Sequence, residues 1–244
     1  MPELLTLTNV AIERAGRCLL SRLSCSMNAG EVVVILGPNG AGKSSLLLAL
    51  AGLIPSTGET SLLGKDLHHY SRHELSRLIA WQGELPPTEF GLTVQQRLNL
   101  AVTEGGGALK SVAKTMDIQA LLQRPLGELS SGERQRTELA ALMLRDAPIW
   151  LLDEPTAHLD LKHQIQCINM MKKQRSQGRA IITVLHDIQQ AMAVADHLIL
   201  IDGVGGAEYG EAGLLFNSGR LSQLFDAPVV TQGDLLVPDY GKRM

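Results

Sequence analysis

The stretch "GPNGAGKS", running from Gly37 to Ser44, matches the pattern G-x-x-x-x-G-K-[ST] in full. These residue types suit a chain of phosphates. Glycines let the backbone wrap around phosphate oxygens with N–H groups pointing inward. A helix opening directly after the loop adds the positive end of its dipole. Lys43 is expected to meet the β- and γ-phosphates as a point charge, and the Ser44 hydroxyl to ligate Mg²⁺. The expected phosphate-binding set is Gly37, Pro38, Asn39, Gly40, Ala41, Gly42, Lys43, Ser44 and Ser45.

A second group of chemical residues stands at the ends of apolar runs. "IWLLDEP" closes on Asp153 and Glu154. Ligands sit at the carboxyl edge of parallel sheets, and an extended chain would point these two acids in different directions. Asp153 is assigned to the metal and Glu154 to orienting or deprotonating an attacking water. His186 ends "AIITVLH" in the same way and is expected beside the γ-phosphate. Gln82 ends "LIAWQ", where its amide oxygen can reach Mg²⁺ or the water.

A third group is "LSSGERQR". Ser130 with Glu133 three residues later forms the S-x-x-E pattern of a capping box. A capped helix start is also an anion site. Ser131, as the first helical residue, needs no positive φ, and Gly132 permits close backbone approach.

The elements that must hold these groups follow from hydrophobic patterning. "LLTLTNVAI" and "LSCSMNAGE" read as N-terminal strands, the second short. "EVVVIL", "LIAWQ", "IWLLD" and "AIITVLH" read as buried strands, the first followed by a helix that stops before Pro55. "LKHQIQCINMMKKQRSQG" is an amphipathic helix ending at Gly178. Strand–helix–strand order predicts a parallel sheet with right-handed crossovers. Residues 84–147 carry helical spacing throughout and read as a helical insert. "DGVGGAEYGEAGLLFNSG" reads as a glycine-rich hairpin or loop. Its glycines do not open a helix after a strand, so it is not a dinucleotide fingerprint.

Bulk composition narrows the class. The chain has 244 residues, a net charge of −3 and 45% hydrophobic residues, which suits one folded α/β domain without nucleic-acid binding. No apolar run is long enough to span a bilayer, and the N-terminus does not read as a signal peptide. Cys18, Cys25 and Cys167 have no metal-ligand spacing. His68, His69 and His73 lack the companions a zinc site needs and read as a solvated turn.

With "GPNGAGKS", Gln82, "LSSGERQR", "LLDEP", "TAHLD" and His186 in this order, the chain resembles the ATP-binding cassette family over essentially its whole length. The resemblance implies an α/β fold: a RecA-like P-loop NTPase core with an N-terminal antiparallel β region (1–83 and 148–244) and a helical signature subdomain (84–147). It implies ATP and Mg²⁺ as ligands and hydrolysis of ATP. It also implies a homodimer that sandwiches ATP head to tail. Ser130, Ser131, Gly132, Glu133 and Asp160 would then act on the nucleotide held by the other subunit. Ser44, Gln82 and Asp153 would hold the metal; Glu154, His186 and Gln82 would be catalytic. Implied partners are two copies of a polytopic permease and, indirectly, a periplasmic binding protein, with the chain on the cytoplasmic face of the inner membrane.

Within the family the chain resembles ATPases of siderophore, haem and cobalamin importers. "NVAIERAG", "LIAWQGELPP" and "LSSGERQR" are most similar to the cobalamin importer's ATPase. The alternatives are a haem or ferric-siderophore importer, then a separate-chain exporter or a non-transport ATPase. Three departures stand out, one of them that "GVGGAEYGEAGLLFNSG" is longer than the family's usual short hairpin there. "VAIERAGRCLL" has no aromatic to stack on adenine, leaving Arg14 or Arg17 to cover the ring. Ser131 and Glu133 stand where the family commonly has Gly and Gln.

Overall fold

The computed structural model describes residues 3–14, 16–83, 85, 91–102 and 109–241. The proline break at residues 86–87 and the start of the expected insert at residue 84 lie outside them. The chain opens with β1 (Leu5–Arg14) and β2 (Arg17–Met27), then β3 (Val32–Leu36) and α1 (Lys43–Leu50). Next come β4 (Thr57–Leu62), β5 (Lys65–Asp66), α2 (Arg72–Leu78) and β6 (Ile79–Gln82). α3 (Val94–Asn99), α4 (Leu109–Thr115) and α5 (Ser131–Met143) precede β7 (Ile149–Asp153) and α6 (Leu161–Ser176). β8 (Ala180–Val184), α7 (Ile188–Val194), β9 (His197–Ile201) and β10 (Ala207–Glu211) follow. The chain closes with α8 (Ala212–Leu215), α9 (Ser218–Phe225), β11 (Val229–Gln232) and β12 (Leu235–Pro238).

Among the described residues the central sheet has the order β10-β9-β3-β8-β7-β6. β9, β3, β8, β7 and β6 are parallel neighbours, and β10 pairs antiparallel with β9. The antiparallel sheet has the order β2-β1-β4-β5. This is the expected α/β fold with its N-terminal antiparallel region.

Why the sheet forms is visible in β3. Val32, Val34 and Leu36 pack into one core cluster and Val33 and Ile35 into the other. β7 divides likewise, with Trp150 and Leu152 on the first side and Ile149 and Leu151 on the second. The first cluster takes residues of α3, α4, α5 and α6; the second takes α1 and the antiparallel sheet. Both faces are covered, so the strand interiors are almost wholly apolar, with polar residues such as Gln82 and Asp153 at their carboxyl ends. All carboxyl ends of the parallel strands therefore open on one edge.

Chain leaves this sheet at Gln82 and returns at Ile149 on the neighbouring strand, with Gln82 beside Leu152. The described residues between them pack as helices. Arg97 of α3 donates from Nε to Glu138 of α5 at 3.0 Å, and its other arm also reaches that carboxylate.

Three elements depart from the sequence expectation. β2 is eleven residues long instead of short. Its buried residues Leu20, Leu23 and Met27 are spaced by three and four, and its pairing with β1 shifts register repeatedly, so no period of two survives. The glycine-rich tail does form a hairpin, β9–β10, but its second half is helical, in α8 and α9. Asn217 caps α9 through its side chain, which starts a helix despite Gly219. His186 lies beyond β8, whose ladder ends at Val184.

Four carboxylates hold helix starts and a helix junction. Backbone N–H groups of Ser71, Ser130 and His163 hold Glu74, Glu133 and Asp160 below the usual carboxylate range. Lys162 does the same for Asp117. A depressed folded value means stability that is full above the unfolded pKa of about 4 and lost as pH falls through the folded values. The thermal midpoint should therefore hold from pH 7 to about 5 and decline below about 4. A midpoint that rises on acidification would contradict these contacts.

Candidate active site

The loop between β3 and α1 ends at Gly42, which has φ 102° and caps α1 without a side-chain hydrogen bond. By contrast α2, α3, α5, α6, α7 and α9 each open with a capping side chain. The first N–H groups of α1 thus have no side-chain cap and could take an anion. A side chain at position 42 would be strained by its φ and would put Cβ 3.0 Å from Leu19 Cβ. Lys43 Nζ donates to the carbonyls of Gly37 and Pro38, both at 2.9 Å. Burial lowers the Lys43 pKa, while Glu154 and Asp153 nearby oppose that shift. A buried ammonium bonded only to its own loop is ready for phosphate oxygens. Lys43→Ala should weaken nucleotide binding roughly 10–100-fold, since charge-assisted hydrogen bonds contribute about 1.5–3 kcal/mol each. Titration with ATP checks this; unchanged affinity would remove Lys43 from the site.

The acid pair does not alternate as an extended strand would. Asp153 is the last residue of β7, paired with Val184. Glu154 leaves the strand with φ 49°, in the left-handed region, and its N–H donates to Val184 O at 3.2 Å. The turn carries the Glu154 carboxylate to His186, whose Nε2 lies 2.6 Å from Glu154 Oε1. Sequence reasoning chose both residues; the turn is what joins them.

Two cavities meet here. One, of about 230 Å³, is lined by Ser44, Asp153, Glu154 and Gln135 with Gly83, Leu85, Ala157 and His158. The other, of about 270 Å³, is lined by Arg14, Leu19, Asn39, Gly40, Gly42, Lys43, Ser44, Ser45 and Glu154. Ser44 and Glu154 line both, so phosphate loop and acid pair share one cleft. Gln82 is 5% exposed. Its Nε2 donates to Gly83 O at 2.7 Å, while its Oε1 is buried without a hydrogen-bond partner. A hydroxyl, a carboxylate and an amide oxygen form a hard-oxygen donor set, and the orphaned Oε1 calls for a donor or a cation. The donor chemistry of Ser44, Asp153 and Gln82 thus suits Mg²⁺, although Gln82 is not among the residues lining either cavity.

Arg14 lines the second cavity; Arg17 is not among its lining residues. Leu19 adds an apolar side chain that sequence reasoning did not select, because nothing local distinguishes it from other strand leucines. His158 and Gln135 were also missed: His158 enters through the turn that follows Glu154, and Gln135 through a tertiary approach.

α5 begins with the expected capping box. Glu133 N–H donates to Ser130 Oγ at 3.3 Å, and Ser130 N–H donates to Glu133 Oε2 at 2.8 Å. Ser130 and Ser131 are exposed, and neither they, Gly132, Glu133 nor Asp160 line either cavity of their own chain. Asp160 caps α6, accepting from His163 N at 2.9 Å, and also touches the His163 ring.

Other candidates fall away. His68, His69 and His73 are exposed, and no cluster among the described residues could hold a metal through His, Cys, Asp and Glu alone. Burial pushes the thiols of Cys25 and Cys167 up to about 12, which leaves them unreactive at neutral pH. Among the described residues no helix is long and apolar enough to cross a membrane.

Comparison with known proteins bears on this cleft. A family model described as ABC transporter matches residues 20–157. The chain is 34% identical over 229 residues to the hemin import ATP-binding protein HmuV of Streptomyces coelicolor, covering 89% of this chain and 81% of that one. It is 32% identical over 242 residues to the cobalamin import ATP-binding protein BtuD of Halobacterium salinarum, covering 94% and 61%. Its fold matches a metal-chelate type ABC transporter in an inward-facing conformation with a TM-score of 0.81, at 21% identity over 100% of both chains.

Proposed function

Because the chain belongs to the ABC transporter family, we propose that it is the ATP-hydrolysing subunit of an importer of the haem, siderophore and cobalamin group. The observation that carries the catalytic part is the cleft that Lys43, Ser44 and Glu154 line together, with His186 Nε2 2.6 Å from the Glu154 carboxylate. The uncapped start of α1 and Lys43 take the phosphates. Arg14 and Leu19 flank the place left for the base, since no aromatic stands there. Ser44, Asp153 and Gln82 would hold Mg²⁺, which would supply neutralising charge for the transferred phosphoryl group. Glu154 orients the attacking water and takes its proton. His186 holds the Glu154 carboxylate and offers a donor beside the γ-phosphate.

Ser130, Ser131, Gly132, Glu133 and Asp160 act in trans, completing the cleft of a second copy of this chain. The exposure of Ser130, Ser131 and Asp160, and the absence of all five from the lining of their own cleft, support that reading. ATP bridging two copies favours the closed pair, and hydrolysis releases it. The closing and opening work a membrane permease on the cytoplasmic face of the inner membrane.

For cargo we take haem before cobalamin. The hemin import protein is the more similar of the two relatives by identity and is matched over more of its length. Cobalamin, which the sequence segments around Gln82 and the α5 start favoured, is the second reading. Both rest on likeness, because this subunit does not touch the cargo. The test is co-purification with the permease, reconstitution in vesicles, and uptake of labelled haem, cobalamin and ferric siderophore. ATP-driven haem uptake is expected. Uptake of cobalamin alone would replace the cargo, and hydrolysis with no uptake of any would overturn import.

A further inference from the structure

Gln135 is a polar side chain in the first turns of α5, 3% exposed, yet it does not serve its own helix. Its Nε2 donates across the fold to two successive carbonyls, Pro155 O at 3.1 Å and Glu154 O at 3.4 Å. Those carbonyls belong to the turn that follows β7. The turn is unusual, because both Glu154 (φ 49°) and His158 (φ 62°) hold left-handed backbone without being glycine. Such backbone is strained for a residue with a side chain and persists only when its surroundings impose it.

The surroundings that impose it can be named. Ala157 N–H donates to Glu154 O at 3.0 Å, inside the turn. Val184 O takes the Glu154 N–H from the β8 side. Gln135 supplies the hold from the α5 side. Gly132 lets α5 come close enough: a Cβ there would lie 2.8 Å from His158 O. Glycine at 132 therefore has a reason within this chain, apart from any approach to phosphate.

We infer that Gln135 is a positioning residue for Glu154. By fixing the Glu154 and Pro155 carbonyls it sets the turn that aims the Glu154 carboxylate at His186 and the water. It touches neither nucleotide nor water in this role. The inference rests on the hydrolytic reading of the cleft. It adds that the start of α5, whose first residues are assigned to the other subunit's ATP, is tied to the base of its own chain.

The test uses the full chain. Gln135→Met keeps length and flexibility and removes both donations. Gln135→Glu keeps the shape and turns a carboxylate toward two carbonyl oxygens. Both should lower kcat by about 10–100-fold, since misplacing a reacting group by about 1 Å can cost about 100-fold, while KM for ATP moves less than about threefold. Thr137→Val is the control. Thr137 is equally buried in α5 and bonds only Glu133 O, so its loss should leave kcat unchanged. A kcat within threefold of wild type in Gln135→Met overturns the inference, as does an equal fall in Thr137→Val. Glu154→Gln, run alongside, separates the two claims. If that variant still turns over, the hydrolytic reading fails. If it is inactive while Gln135→Met is fully active, only the positioning role fails.

Discussion

Glu154→Gln should lower ATP turnover by roughly 100- to 10,000-fold while leaving ATP affinity within about threefold, the range expected when a positioned general base is removed. The substitution keeps shape and hydrogen-bonding reach. It keeps an acceptor for His186 Nε2, now 2.6 Å from Oε1, so the contact that fixes the side chain survives. What is lost is the negative charge that takes a proton from water. Binding should not suffer, because the phosphates are assigned to Lys43 and the start of α1 rather than to Glu154. Removing a carboxylate beside Lys43 also removes one of two charges that favour its protonated form, though Asp153 remains. The variant should therefore accumulate an ATP-bound pair of subunits, visible as a mass increase in light scattering with ATP and not without it. Near wild-type turnover would sink the assignment of the base.

The contrast between Glu154 and Gln135 shows what was legible in the sequence. Glu154 was readable because it follows a run of buried residues, Ile149–Leu152, that can only be an interior strand. The same logic gave β3 and β8, whose five residues are all buried. Lys43, Ser44 and Gln82 also sit at the ends of readable elements, so their place on one sheet edge followed from the order of strands. Gln135 had no such marker. Its partners lie 19 and 20 residues away, and its role depends on a left-handed turn that sequence reasoning drew as extended. Leu19 was hidden in the same way, on a strand whose register shifts erased its period. Local chemistry was legible; tertiary approach was not.

Ser130→Arg should leave ATP binding to single subunits unchanged and lower turnover at least about 100-fold, because its hydroxyl is assigned to the nucleotide of the other copy. Ser130 lines neither cavity of its own chain, so its own cleft should not register the change. The substitution does break the capping box at Glu133, which costs about 1 kcal/mol. That loss is too small to unfold α5, whose Leu139, Ala140, Ala141 and Leu142 are in the core. Ser130→Asp serves as the control for the cap: aspartate caps helices as well as serine does, but turns a negative charge toward phosphate. It should fold normally and also lose turnover. The strongest form of the test mixes two inactive variants. A pair made of one Ser130→Arg chain and one Glu154→Gln chain contains one complete cleft, with Glu154 from the first and Ser130 from the second. Random pairing makes half the dimers mixed, each with one of two clefts intact, so about a quarter of wild-type turnover should return if the interface is two-fold symmetric. Variants that act only on their own cleft could not rescue one another, and a mixture as inactive as its parts would refute action in trans.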